Sequence, residues 1–129
     1  MFAGLDARAT PRLLVRTNRC DDKTVFPPRI PTLVPEVPAW FGLQGVRLIG
    51  LELPSVDQTN GPIMQTRHKL DVANIIILEI LDLRAAAPGA YELITLPLRI
   101  AGAEGTLACA TIDFVSGLKT PLPPVWSPW

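Results

Sequence analysis

The chain has 129 residues, twelve basic against twelve acidic side chains, and 48% hydrophobic residues. The hydrophobic content excludes a disordered chain, and the length is sufficient for one core without metal or disulfide support. A net charge of zero argues against a surface given over to nucleic acid and against strong steering of a charged ligand.

Met1 to Asp6 show no basic segment followed by an apolar core, so no secretory signal is expected. The longest apolar run is interrupted by Glu79 and Asp82 and is too short to span a bilayer. The expected location is the virion, or the cytoplasm if the protein is not viral. Cys20 and Cys109 have neither a CxxC spacing nor a histidine neighbour, and are read as reduced thiols.

Residues 1–29 carry six basic and three acidic side chains, and the remaining hundred carry six and nine. Arg12 to Arg19 alternates as a strand with a solvated face. A sharper reading makes Arg8, Arg12 and Arg16 a weak contact for nucleic acid or for a neighbour's acidic surface. Asn18 to Lys23 reads as a polar turn.

Residues 24–43 hold five prolines, at 27, 28, 31, 35 and 38. Proline removes a backbone donor and fixes φ, so this stretch is expected to be neither helix nor central strand but an extended arm. At three residues per turn, Pro28, Pro31, Val34, Val37 and Trp40 line one apolar edge. Two PxxP spacings also fit this arm. Pro31, Val34, Val37 and Trp40 are therefore candidate partner-binding residues.

Gly45 to Leu53 is predicted as a strand, 54–62 as a surface loop, and 63–70 as a loosely alternating segment. Ala73 to Arg84 contains three consecutive isoleucines, which are stiff at χ1 and favour a pleated surface. Its polar residues gather on no helical stripe, and both strand faces are mostly apolar, so a covered strand is preferred to a helix. Pro88-Gly89 turns the chain into a strand over 90–100, where Pro97 demands an edge or a bulge. A Gly-containing link at 101–105 then leads to a strand over 106–115. Residues 117–129 form a second proline-rich arm ending in Trp126 and Trp129, two further candidate partner-binding residues.

Chemical candidates are few. His68, between Arg67 and Lys69, reads as a surface residue, and no nucleophile-elbow pattern surrounds Ser55, Ser116 or Ser127. Asp21-Asp22, and Asp57 with Asn60, lack the spacing of a cation loop and are explained by turn chemistry. Gly102-x-x-Gly105 is a hairpin turn. Glu79 and Asp82 are the most interesting carboxylates, because a buried carboxylate can act as acid or base. Salt bridges to Arg84 or Arg99 explain them more simply.

The reading is a single all-β domain, 1–129, of β-sandwich or jelly-roll-like form with about six strands. It comprises a proline-rich arm (24–43), a β core (44–116) and a Pro/Trp arm (117–129). No catalytic residue, cofactor or metal is assigned. The expected function is non-enzymatic. The chain would be a structural component of a virus or phage particle (a minor capsid, decoration or tail protein) whose arms contact protein subunits. The alternative is an intracellular β-barrel or sandwich module that binds a small apolar ligand or a protein partner. An enzyme using Glu79, Asp82 or His68 is the third reading.

Overall fold

Every residue of Leu48–Leu51 is buried, a pattern that needs cover on both faces of a strand. The computed structural model, which describes residues 10–19, 25, 29–58 and 63–115, supplies that cover with a parallel sheet. Strands β1 (Arg12–Val15), β2 (Leu48–Leu51) and β3 (Ile76–Leu78) lie in the order β1-β2-β3. Both pairings are parallel, with Arg12 opposite Leu48 and Leu48 opposite Ile76. Parallel neighbours require long crossovers. Here these carry helix α1 (Val37–Gln44) between β1 and β2, and helix α2 (Gln65–Val72) between β2 and β3.

Both helices end the same way. Gly45 has φ 84°, its N–H donates to the Gly42 carbonyl, and Val46 N–H donates to that of Phe41. Asn74 has φ 54°, its N–H donates to Asp71, and Ile75 N–H donates to Leu70. Each is a Schellman arrangement, in which a left-handed residue turns the chain out of the helix and the orphan carbonyls find donors. The next residue in each case is apolar and buried, Val46 or Ile75, and it leads into the following strand. The core of this unit is Ile30, Phe41, Val46, Ile49, Leu51, Val56 and Leu70, each at most 1% exposed.

These elements correct the all-β expectation. Residues 37–44, placed in an extended arm, form α1, because Pro38 falls in the first helical turn, where the missing N–H costs nothing. The arm is also not held away from its own chain: Ile30, Pro38 and Phe41 are buried. Residues 65–72 are helical rather than loosely alternating, with Thr66 and Leu70 buried at a spacing of four. The strand expected over 73–84 shrinks to Ile76–Leu78, and Ile76 is exposed at the sheet's edge.

The chain divides into two compact units between Ala85 and Ala86, so the expected 44–116 core crosses that boundary. In the second unit, β4 (Tyr91–Pro97) and β5 (Ala108–Phe114) form a two-stranded antiparallel sheet with Tyr91 opposite Phe114 and Pro97 opposite Ala108. The Tyr91 and Phe114 rings meet edge to face at 5.6 Å. Phe114 packs so closely on Gly89 that a Cβ there would lie 3.1 Å from the ring. Arg8, Cys20, Asp21, Asp22, Pro27, Pro28, Asn60, Ser116, Ser127, Trp126, Trp129 and the arm 117–129 lie outside the described residues.

Candidate active site

Three parallel strands bring their carboxyl ends to one edge of the sheet, the side on which open α/β sheets bind ligands. The residues that follow each strand there are unusually polar. Thr17 and Asn18 follow β1, Glu52 follows β2 directly, and Glu79 follows β3 directly. An acid immediately after an apolar strand puts a carboxylate at the rim of the core, where a few fixed donors decide its position.

Glu52 is 2% exposed. Its Oε2 accepts the N–H of Thr17 at 2.7 Å, the N–H of Asn18 at 2.9 Å and the Thr17 hydroxyl at 3.3 Å. These bonds tie the end of β1 to the end of β2, so Glu52 is a brace. Asp57, also buried, accepts the N–H of Thr66 (2.8 Å) and of Arg67 (2.9 Å) at the start of α2. No residue adjoining α2 caps it with its side chain. Asp57 does so from the loop after β2, where a negative charge also meets the positive end of the helix.

With α2 anchored in this way, Arg67 reaches Glu79. Its Nη2 lies 2.6 Å from Glu79 Oε1, which also accepts the Val56 N–H at 3.0 Å. The Glu79 side chain is 21% exposed and that of Arg67 40%, so the pair is open to solvent yet held from both sides. The next residue, Ile80, adopts φ 61°, a conformation strained for a β-branched side chain. Ile80 N–H bonds to Leu53 O and Leu81 N–H to Leu51 O, which fix this turn against the end of β2. Strain next to a positioned carboxylate is what a functional rim shows when surrounding bonds over-determine it. A cleft beside the start of α2 is lined by Thr32 to Pro35, Asp57, Gln58, Ile63, Gln65 and Thr66. Gln58 closes one wall by donating to the Ile30 carbonyl.

The residues singled out from the sequence fare differently. Glu79 pairs with Arg67, not with Arg84 or Arg99. Asp82 accepts two guanidinium bonds and the backbone N–H of Arg84 on an exposed turn, as expected for a surface pair. His68 is exposed on α2. Of the candidate partner-binding residues, Pro31 and Val34 are exposed, and Val37 and Trp40 are half-buried in or beside α1. Trp40 stacks obliquely on the buried Phe41 at 5.7 Å, so these four do not form one free edge. Arg12 lies at the start of β1, and Arg16 donates to Asn18 at 2.7 Å. Cys109 is a free, exposed thiol on β5. Among the described residues, no group of three His, Cys, Asp or Glu gathers in a way that could hold a metal ion.

No family model matches the chain. It is similar to bacterial proteins named kynurenine formamidase. That of Geobacillus thermodenitrificans (strain NG80-2) is 39% identical over 102 residues, 79% of this chain and 49% of the relative. Those of Bacillus cytotoxicus and Bacillus anthracis are 40% and 39% identical over 101 residues, 78% of this chain and 48% of each relative. The chain therefore spans about half the length of the curated relatives it matches. These relatives bear an enzyme's name and come from bacteria. They overturn the expectations of a non-enzymatic structural protein, of a capsid or other virion component, and of a virion location. The small-ligand alternative stands nearer to these relatives than the assembly reading does. No motif in the sequence joins Glu52, Asp57, Glu79 and Arg67, because these residues are brought to one edge only by the parallel topology.

Proposed function

We propose that the chain supplies part of a formamide-hydrolysing site of the kynurenine formamidase kind, with Glu79 as the carboxylate at the reacting centre. The observation that supports this most is the identity of about 39% with kynurenine formamidases over 79% of the chain. In such a reaction, water adds to the formyl carbon of an N-formyl arylamine. The C–N bond then breaks, releasing formate and the amine. In this reading Glu79 accepts a proton from that water and returns it to the departing amine nitrogen, and Val56 N–H and Arg67 keep its carboxylate in one orientation. Glu52 and Asp57 act at a distance, by holding β1 and α2.

The test is hydrolysis of N-formylkynurenine, read by the absorbance of the free arylamine and by formate. The chain is assayed alone and together with the half of the Geobacillus relative that lies outside the match. Hydrolysis in either mixture that falls at least a hundredfold in Glu79→Gln, with the fold retained by circular dichroism, is the expected result. Absence of hydrolysis in both, or full activity of Glu79→Gln, overturns the reading.

A further inference from the structure

The ion pair between Arg67 and Glu79 is built asymmetrically. Glu79 Oε1 accepts both bonds, from Val56 N–H at 3.0 Å and from Arg67 Nη2 at 2.6 Å. Among the described residues, the other oxygen, Oε2, accepts none. One oxygen is thus an anchor, and the second is open to take a proton. The guanidinium is divided in the same way. Such a group carries five N–H donors in one rigid plane, and among the described residues only its Nη2 is engaged, by Glu79. The Arg67 side chain is 40% exposed, so Nε and Nη1 remain for a molecule that enters beside Glu79. Arg67 is nevertheless fixed at both ends, its backbone N–H by Asp57 Oδ2 at 2.9 Å and its guanidinium by Glu79. Donors held in place before charge develops stabilise a transition state well, because nothing has to reorganise at the moment of reaction.

We propose that Arg67 stabilises the oxyanion of the formamide reaction, donating a second N–H to the formyl oxygen while Glu79 Oε2 takes the proton of the attacking water; this rests on the hydrolytic reading above. In the attack step the water oxygen bonds to the formyl carbon, its proton passes to Glu79, and the carbonyl π pair moves onto the formyl oxygen. Negative charge leaves the carboxylate and appears on that oxygen, so the guanidinium has one anion beside it before and after the attack. When the C=O bond reforms, the C–N bond breaks and the nitrogen takes the proton from Glu79. Formic acid leaves and ionises in water. The planar fork suits both partners: one edge of the guanidinium faces Glu79, and an adjacent edge in the same plane meets an oxyanion at about 2.7–3.1 Å. Neither lysine nor glutamine offers a second rigid edge at this position.

The experiment compares N-formylkynurenine with its N-thioformyl analogue, for the unchanged chain and for Arg67→Gln, in whichever of the two mixtures above hydrolyses the formyl compound. Sulfur accepts hydrogen bonds weakly, so the thio intermediate gains little from the guanidinium. An arginine that only holds Glu79 in place would slow both substrates alike when removed. The expected result is a kcat for the formyl compound lower by about a hundredfold or more in Arg67→Gln, the scale of a lost oxyanion donor, with KM changed less than about threefold. The thioformyl rate falls far less, so the oxygen-to-sulfur ratio drops by about tenfold or more. If Arg67→Gln proves unfolded by circular dichroism, Arg67→Lys, which keeps a cation for Glu79, is judged by the same drop. Equal slowing of both substrates, or a smaller drop in the ratio, overturns the proposal and leaves Glu79 as the base wherever Glu79→Gln is inactive. Hydrolysis in neither mixture overturns it together with the reading it rests on.

Discussion

Asp57 lies in a loop, eight residues before the helix it caps, and its removal gives the sharpest check on how the candidate site is held. Both of its oxygens accept backbone N–H groups of α2, at 2.8 and 2.9 Å, and the residue is 7% exposed. An ordinary exposed cap contributes about 0.5–2 kcal/mol. Here little water can replace the lost acceptor, and each buried donor left unsatisfied costs roughly 1–3 kcal/mol. Two such donors are left, one of them only part-buried, so Asp57→Ala is expected to destabilise by about 2–4 kcal/mol. Asp57→Asn keeps one acceptor oxygen but turns an amide N–H₂ toward the second donor and removes the charge at the helix start. Its expected loss is about half as large, on the order of 1–2 kcal/mol. Urea unfolding followed by far-ultraviolet circular dichroism measures both, provided the slope with denaturant is unchanged. A loss in Asp57→Ala below about 0.5 kcal/mol, the scale of an ordinary surface change, refutes the capping argument. So does an Asn variant as damaged as the Ala variant.

Two backbone substitutions are expected to move stability in opposite directions, measured by the same urea titration. Gly45→Ala has free space around the new Cβ but must keep φ 84°, so it should lose about 1 kcal/mol from strain alone. Ile80→Gly should be neutral or gain up to about 1 kcal/mol, because φ 61° suits glycine and the isoleucine is 60% exposed.

Local pattern reveals parts of this fold and hides others. The alternation of 90–100 and 106–115 places β4 and β5 inside the predicted spans, because each strand's own sequence carries a period of two and a Gly-containing link separates them. The run Leu48–Leu51 also reads as a strand, yet its direction does not. A strand buried on both faces has no polar side to distinguish a parallel sheet from a sandwich interior. The decisive marks lie at the helix ends. Gly45 before Val46 and Asn74 before Ile75 are left-handed residues that precede buried apolar ones, which signals a helix stop feeding a strand. The five prolines outweigh these marks when residues 24–43 are counted together, although only Pro38 enters α1, in its first turn.

The site was legible only as far as a single residue can be. Glu79 draws notice because it breaks an apolar run, but a carboxylate next to Asp82 and Arg84 suggests a local ion pair. That local pair does exist, between Asp82 and Arg84, and Glu79 is not part of it. Its partner is twelve residues earlier, on a helix whose first turn is fixed by Asp57 from a third segment. Each member is commonplace in sequence: an acid after a strand, an acid in a loop, an arginine in a basic triplet. Their meaning arises when β2 and β3 run parallel, so that 52–57 and 79 emerge at one edge with the start of α2 joined to both by hydrogen bonds. A topology with β3 reversed would carry the same residues and bring Glu79 to the opposite edge. Chain direction, more than composition, therefore determines whether these carboxylates form a site.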